Sequence, residues 1–335
     1  MNRIRTFAAA FAAIALSHVA WTQSRRPDFP QPPPAREVTV PGIPGVIAPG
    51  AKWALAWQGS DNADGIVGTS DGGLLFAQEQ PSRISKLDAN DHLSVFLENT
   101  HGAGALSIDS HGRILAVERT CTDPGLRPAP CTEPTAVAVL APERKILADH
   151  FGEKGLGRLN DLIADRRGGI YFNGAGTFYL APAGVVHVIG HDIRTNGITL
   201  SPDEKTLYVT NGPALVAFDV QPDGAVTHQR DFARLEAGGV GDGMAIDAQG
   251  RLYVTSAPGV QVFNAQGEYL GLIPTPRPVI SAAFSGPDKQ TLYLVGSGAL
   301  GPDGREYRTP AGVRNNGKSI YKIRMLAEGF RGRVK

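Results

Sequence analysis

The chain has 335 residues, with 33 Lys and Arg against 32 Asp and Glu, for a formal net charge of +1. That balance argues against nucleic acid as the partner, since phosphate binding requires a basic surface. With 41 Gly, 25 Pro and only 7% aromatic residues, the composition calls for many turns and few long helices, the signature of an all-β chain.

Residues 1–23 read as a signal peptide. Arg3 and Arg5 precede a short apolar run from Phe7 to Leu16, followed by the small residues Ser17 and Ala20. The run is too short to span a hydrocarbon core of about 30 Å comfortably, and no Cys follows it to carry a lipid. The expectation is export to the periplasm or beyond, with no membrane attachment after cleavage. Residues 24–44 are rich in proline, including Pro32, Pro33 and Pro34, and read as an extended tether. Residues 45–335 form one repeating domain.

Six segments share a turn followed by an apolar strand: Asp71-Gly-Gly-Leu-Leu-Phe, His111-Gly-Arg-Ile-Leu-Ala, Arg167-Gly-Gly-Ile-Tyr-Phe, Glu204-Lys-Thr-Leu-Tyr-Val, Gln249-Gly-Arg-Leu-Tyr-Val and Lys289-Gln-Thr-Leu-Tyr-Leu. With Leu74, Ile114, Ile170, Leu207, Leu252 and Leu292 as equivalent points, the spacings are 40, 56, 37, 45 and 40 residues. This is the period of a four-stranded propeller blade and predicts a six-bladed β-propeller. A two-sheet sandwich accounts poorly for six near-equal units. The sixth unit runs out of chain after its third strand, Ser319–Ile323. Lys52–Gln58 reads as a strand without a blade, and pairing the two would close the ring and remove an open sheet edge.

The longest unit contains both cysteines, Cys121 and Cys131, in the loop from Glu118 to Pro134. In an oxidising compartment they are expected to form a disulfide. The loop joins the second and third strands of the second blade. It therefore lies at the end where the first strands begin. A bridge there serves either as a pinned lid or as a local staple.

In a propeller the first strand of each blade lines the central channel. Ten residues before the reference point stand Asp64, Gly104, Asn160 and Asp242; in two units with a longer turn, Asn196 and Ser281 stand eleven before. Four of six equivalent positions thus carry Asp or Asn. Asp-Gly and Asn-Gly are also turn dipeptides, but turn chemistry does not require one shared blade position. Converging oxygen side chains suit a hard cation, and the absence of Cys and His from the ring disfavours a soft one. Asp64, Asn160, Asn196 and Asp242 are the candidate ligands. The expected metal is Ca2+, with Mg2+, Mn2+ or Zn2+ as alternatives.

Several stretches resemble the senescence-marker-protein/gluconolactonase, or regucalcin, family: Arg158-Leu-Asn-Asp161, the run from Arg194 to Thr210, Gly241-Asp-Gly-Met-Ala-Ile-Asp247 and Ala283–Tyr293. The similarity spans nearly all of residues 50–330. It implies a six-bladed propeller with one divalent cation that opens sugar lactones. It also implies that Asn196 and Asp242 bind metal, that Asn160 serves metal and substrate, and that Arg158 contacts substrate. The chain departs from the family twice. Asp64-Gly65-Ile66 stands where the family carries Glu-Gly-Pro, and Ser281-Ala282 stands where it often carries Thr-Asn. More distant paraoxonase-like lactonases use a histidine base, which makes His101, near the start of the second blade, a further candidate.

The resulting expectation is a monomeric hydrolase of small lactones or related cyclic esters. A metal polarises the carbonyl, Asp242 takes the proton of the attacking water, and Arg158, Asn160 and His101 contact substrate. The rival is a non-catalytic, calcium-stabilised propeller that binds a small ligand or a protein. A quinone-dependent oxidoreductase would require a dense basic and aromatic channel, which the sequence lacks.

Overall fold

The computed structural model describes residues 29–119, 133–313 and 316–332. Residues 1–23, read from sequence as a signal peptide, and both cysteines lie outside them. Every regular element among the described residues is a β-strand, and none is a helix able to cross a membrane.

Six four-stranded antiparallel sheets form the blades. Their innermost strands are Ile66–Gly68, Ala103–Ile108, Leu162–Ala164, Thr195–Leu200, Met244–Ile246 and Val279–Ser285. In blades 1 to 5 the strands run outward in chain order. Blade 6 takes its outermost strand from the other end of the chain. Ala54–Gly59 pairs with Lys318–Arg324, in a register that includes Ala54 with Lys322 and Gln58 with Ser319. The ring is thus closed by the N-terminal strand. A short exposed hairpin, His150–Phe151 with Lys154–Gly155, forms a separate two-stranded sheet, with the Phe151 ring against Phe178 of blade 3.

Each blade is too thin to bury its faces alone, so the core is distributed between neighbours. Among the described residues there are six apolar clusters, one at each joint. At the closure, Ile66, Leu74 and Phe76 of blade 1 meet Ala283, Tyr293 and Ile320 of blade 6. Losing one joint would expose two faces, which makes closure a condition of folding.

The repeated turn has a backbone cause. Between first and second strands, the residue two or three before each reference point has positive φ: Gly72, Gly112, Gly168, Glu204, Gly250 and Lys289. Glycine adopts that conformation freely. Where Glu204 and Lys289 replace it, the side chain is buried and bonded. Glu204 accepts from the Arg166 amide at 3.1 Å, and Lys289 Nζ donates to the Phe284 carbonyl at 3.2 Å.

The proline-rich segment, read from sequence as a tether, lies against blades 5 and 6 over its described part. Val40 and Ile43 enter the cluster at that joint, joined by Val46 and Ile47 just beyond the segment. Gln31 exchanges hydrogen bonds with the main chain of Thr309, and the Ala35 amide donates to Glu306. The fully buried Arg277 donates to the Pro33 carbonyl at 3.2 Å and to Glu306 at 2.9 Å. Extended proline-rich backbone makes no internal hydrogen bonds. Its carbonyls are therefore free to accept from a buried arginine, and a core of its own is unnecessary.

Candidate functional site

Three of the four ring residues are brought to one mouth of the channel by a shared hydrogen bond. The amides of Asp64, Asn160 and Asp242 donate to the carbonyls of Ala77, Asn173 and Thr255, at the end of each second strand, at 3.1, 2.8 and 3.0 Å. Asn196 sits in the first strand of blade 4, within a register shift between Thr195 and Ile198.

The glycines after three of these residues have no turn role, because none of Gly65, Gly197 and Gly243 has positive φ. They are needed for close approach of neighbouring blades. A Cβ on Gly65 would lie 2.5 Å from Ala105 Cα, and one on Gly197 would lie 2.1 Å from the Asp242 carbonyl oxygen. The Asp-Gly and Asn-Gly pairs are thus a channel motif.

Asp64, Asn160, Asn196 and Asp242 line one cavity of about 240 Å3 together with Arg158. A larger cleft of about 330 Å3 between blades 2 and 3, near Arg113 and Lys145, contains no ring residue. The candidate site is the mouth, chosen by its chemistry rather than its volume. Asn160 Nδ2 donates directly to Asn196 Oδ1. Arg158 is exposed on the rim. The neighbouring Asp161 is scaffold: its carboxylate accepts from the amides of Leu162 and Ile198 and joins blade 3 to blade 4.

His101 does not line this cavity. Its Nδ1 faces Glu133 Oε2 at 3.2 Å, and Glu133 also pairs with Arg144. Ser281, the sixth ring position, is absent from the lining, where its neighbour Ile280 appears. Residues 120–132, with Cys121 and Cys131, lie outside the described residues.

Three charged groups escaped the sequence reading. Glu79, Arg119 and Lys318 all line the mouth and all are buried. Arg119 Nη1 donates to Asp64 Oδ2 at 2.9 Å and lies 3.6 Å from Glu79 Oε2. Its Nη2 donates to the Asn160 carbonyl at 2.9 Å. The signal was present in the register. Glu79 and Arg119 both stand five residues after the reference points Leu74 and Ile114, so they occupy equivalent positions in adjacent blades.

Asp242 is the perturbed acid of the site. Burial, then the carboxylates of Asp64 and Asp161, push its pKa up to about 8; the Gly243 amide and Arg119 oppose the shift. Two carboxylates and two amides therefore face a space where negative charge is disfavoured. That donor set fits a hard, oxygen-seeking dication. Among the described residues, no three His, Cys, Asp or Glu side chains form a metal-ready group, so the amides of Asn160 and Asn196 would be indispensable ligands.

Residues 63–298 match the SMP-30/gluconolactonase/LRE-like family. A gluconolactonase of Zymomonas mobilis is 27% identical over 297 residues, covering 75% of this chain and 78% of the relative. Two solved structures share the fold. A gluconolactonase from Xanthomonas campestris has a TM-score of 0.64 at 21% identity, covering 92% of this chain and 99% of its own. The calcium-binding protein regucalcin from Agrobacterium tumefaciens has a TM-score of 0.59 at 17% identity, covering 83% and 98%. With more than half of its length matched, the chain belongs to the SMP-30/gluconolactonase/LRE-like family.

Proposed function

We propose that this protein is a lactonase that hydrolyses a sugar-type lactone or related cyclic ester at the channel mouth, supported by a divalent cation, calcium first. The observation that carries the reading is the convergence of Asp64, Asn160, Asn196, Asp242 and Arg158 on one cavity in a chain of this family.

The cation would be held by Asp64, Asn160, Asn196 and Asp242; when bound, it supplies Lewis-acid polarisation of a carbonyl oxygen. Asp242 acts as general base. Its carboxylate accepts a proton from the water that attacks the lactone carbonyl, and the proton passes to the ring oxygen as the acyl C–O bond breaks. Burial and the neighbouring carboxylates push the pKa of Asp242 up to about 8 in the absence of a cation, which would leave its carboxyl largely protonated at neutral pH. A dication at the mouth would lower it and keep the carboxylate ionised as the base. Arg158, exposed on the rim, presents a planar fork of donors to substrate hydroxyl or carboxylate oxygens.

The proposal includes export, a Cys121–Cys131 bridge and a monomeric state. Residues 1–23 support export, and the bridge follows from it. Intact mass of the exported protein, with and without reductant, checks both, and light scattering checks the third. A panel of aldonolactones followed with a pH indicator tests the activity itself. Absence of turnover on the whole panel, with calcium bound at the mouth, would favour the ligand-binding alternative.

A further inference from the structure

The oxygen ring has a gap. In blade 2 the ring position is Gly104, where four other blades carry Asp or Asn. The structure fills that gap from the end of the next strand. A Cβ on Gly104 would lie 2.1 Å from Arg119 Cζ and 2.2 Å from its Nε and Nη2. The Arg119 guanidinium therefore occupies the volume that a ring side chain would take. Its amide is fixed by the Gly102 carbonyl at 3.1 Å, and the residue is only 2% exposed. From there it reaches Asp64 of blade 1 and the main chain of Asn160 in blade 3.

We propose that Arg119 is a resident cation of the mouth, a positioning residue that stands where blade 2 supplies no ligand, holds Asp64, and sets the divalent-cation affinity below what the four oxygen ligands would give alone. This deepens the reading of the mouth as a cation-supported site and rests on it. Two effects of removing Arg119 oppose each other. Freeing Asp64 restores rotamer freedom to one short side chain, which changes affinity by about a few-fold. Removing a full positive charge bonded to a ligand carboxylate relieves repulsion of a dication in partly dry surroundings, and the Coulomb interaction there is several times larger. The charge effect wins, so loss of Arg119 tightens binding. A purely structural role predicts the opposite sign.

The test is calorimetric titration of Ca2+ into chelator-stripped protein. Arg119→Met is expected to bind about tenfold tighter or more than wild type. Arg119→Lys retains the charge but loses the fork, and is expected to stay within about threefold of wild type. Should Arg119→Met prove insoluble, Arg119→Ala makes the same comparison, because it removes the charge without adding an oxygen ligand, and tighter binding is again expected. Wild-type affinity or weaker in these charge-removing variants overturns the inference while leaving the site intact. A wild-type protein that binds no Ca2+ fails the reading of the site and takes the inference with it.

Discussion

The two ends of the innermost strands use the same residue type for different ends. At the turn end, Asp109, Asp165 and Asp247 recur in register, and each carboxylate is consumed locally. Asp109 accepts from the amides of His111 and Arg113 and from Arg113 Nε at 2.7 Å. Asp165 accepts from the amides of Arg167 and Gly169 and from Arg167 Nη2 at 2.8 Å. Asp247 accepts from the amides of Gln249 and Arg251, from Arg251 Nε at 2.5 Å and from Tyr253 at 2.9 Å. At the mouth end, Asp242 instead faces other carboxylates across a cavity and is pushed up to about 8. A carboxylate whose acceptor capacity is filled by its own turn is part of the fold. One held beside like charges is available for a cation and for a proton.

Substitutions at the two ends should therefore separate activity from stability. Asp242→Asn is expected to keep the fold and to lower kcat by about a hundredfold or more, because an amide cannot accept the proton. Steady-state kinetics at saturating calcium measures it. Asp247→Asn should do the reverse. It removes a buried ionic partner of Arg251 and is expected to cost about 2–4 kcal/mol in denaturant unfolding, with kcat per folded molecule unchanged. A large kcat loss in Asp247→Asn at full folding would break the division between the ends.

A further expected effect is a pH slope. The folded-state pKa of Asp242 lies above its unfolded value of 3.8, so the native state binds a proton that the unfolded state releases. Its stabilising contribution is complete below about pH 4 and declines as pH rises toward 8. Cation-free protein should thus lose Tm across that window, and Asp242→Asn should flatten this component. Saturating calcium should flatten it as well. A Tm of stripped wild type that rises from pH 5 to 8 by as much as that of Asp242→Asn would contradict the environment described for Asp242.

What the sequence revealed follows from its repetition. Turn glycines and strand patterns recur because each blade solves the same backbone problem, so six blades, the ring of Asp64, Asn160, Asn196 and Asp242, and the closing strand could all be counted from reference points. Arg119 could not be reached by asking which residues share the ring position. Its guanidinium enters from the far end of the next strand, and the absence of a side chain at Gly104 becomes meaningful only when the two are adjacent in space. The same holds for Lys318, which begins the third strand of blade 6 yet lines the mouth. The proline-rich segment misled for another reason. Composition states what a segment cannot pack by itself, but not that a buried arginine elsewhere will take its carbonyls. His101 lay near the ring in sequence, while its side chain is directed to Glu133.

The most direct test of the account is lactone hydrolysis by one preparation of wild-type protein, stripped with chelator and then restored with calcium, with Asp242→Ala treated in parallel. The account predicts negligible turnover after stripping, recovery on adding calcium, and neither calcium retention nor recovery in Asp242→Ala. Equal turnover before and after stripping, or full activity in Asp242→Ala, would contradict a cation-supported site at the channel mouth.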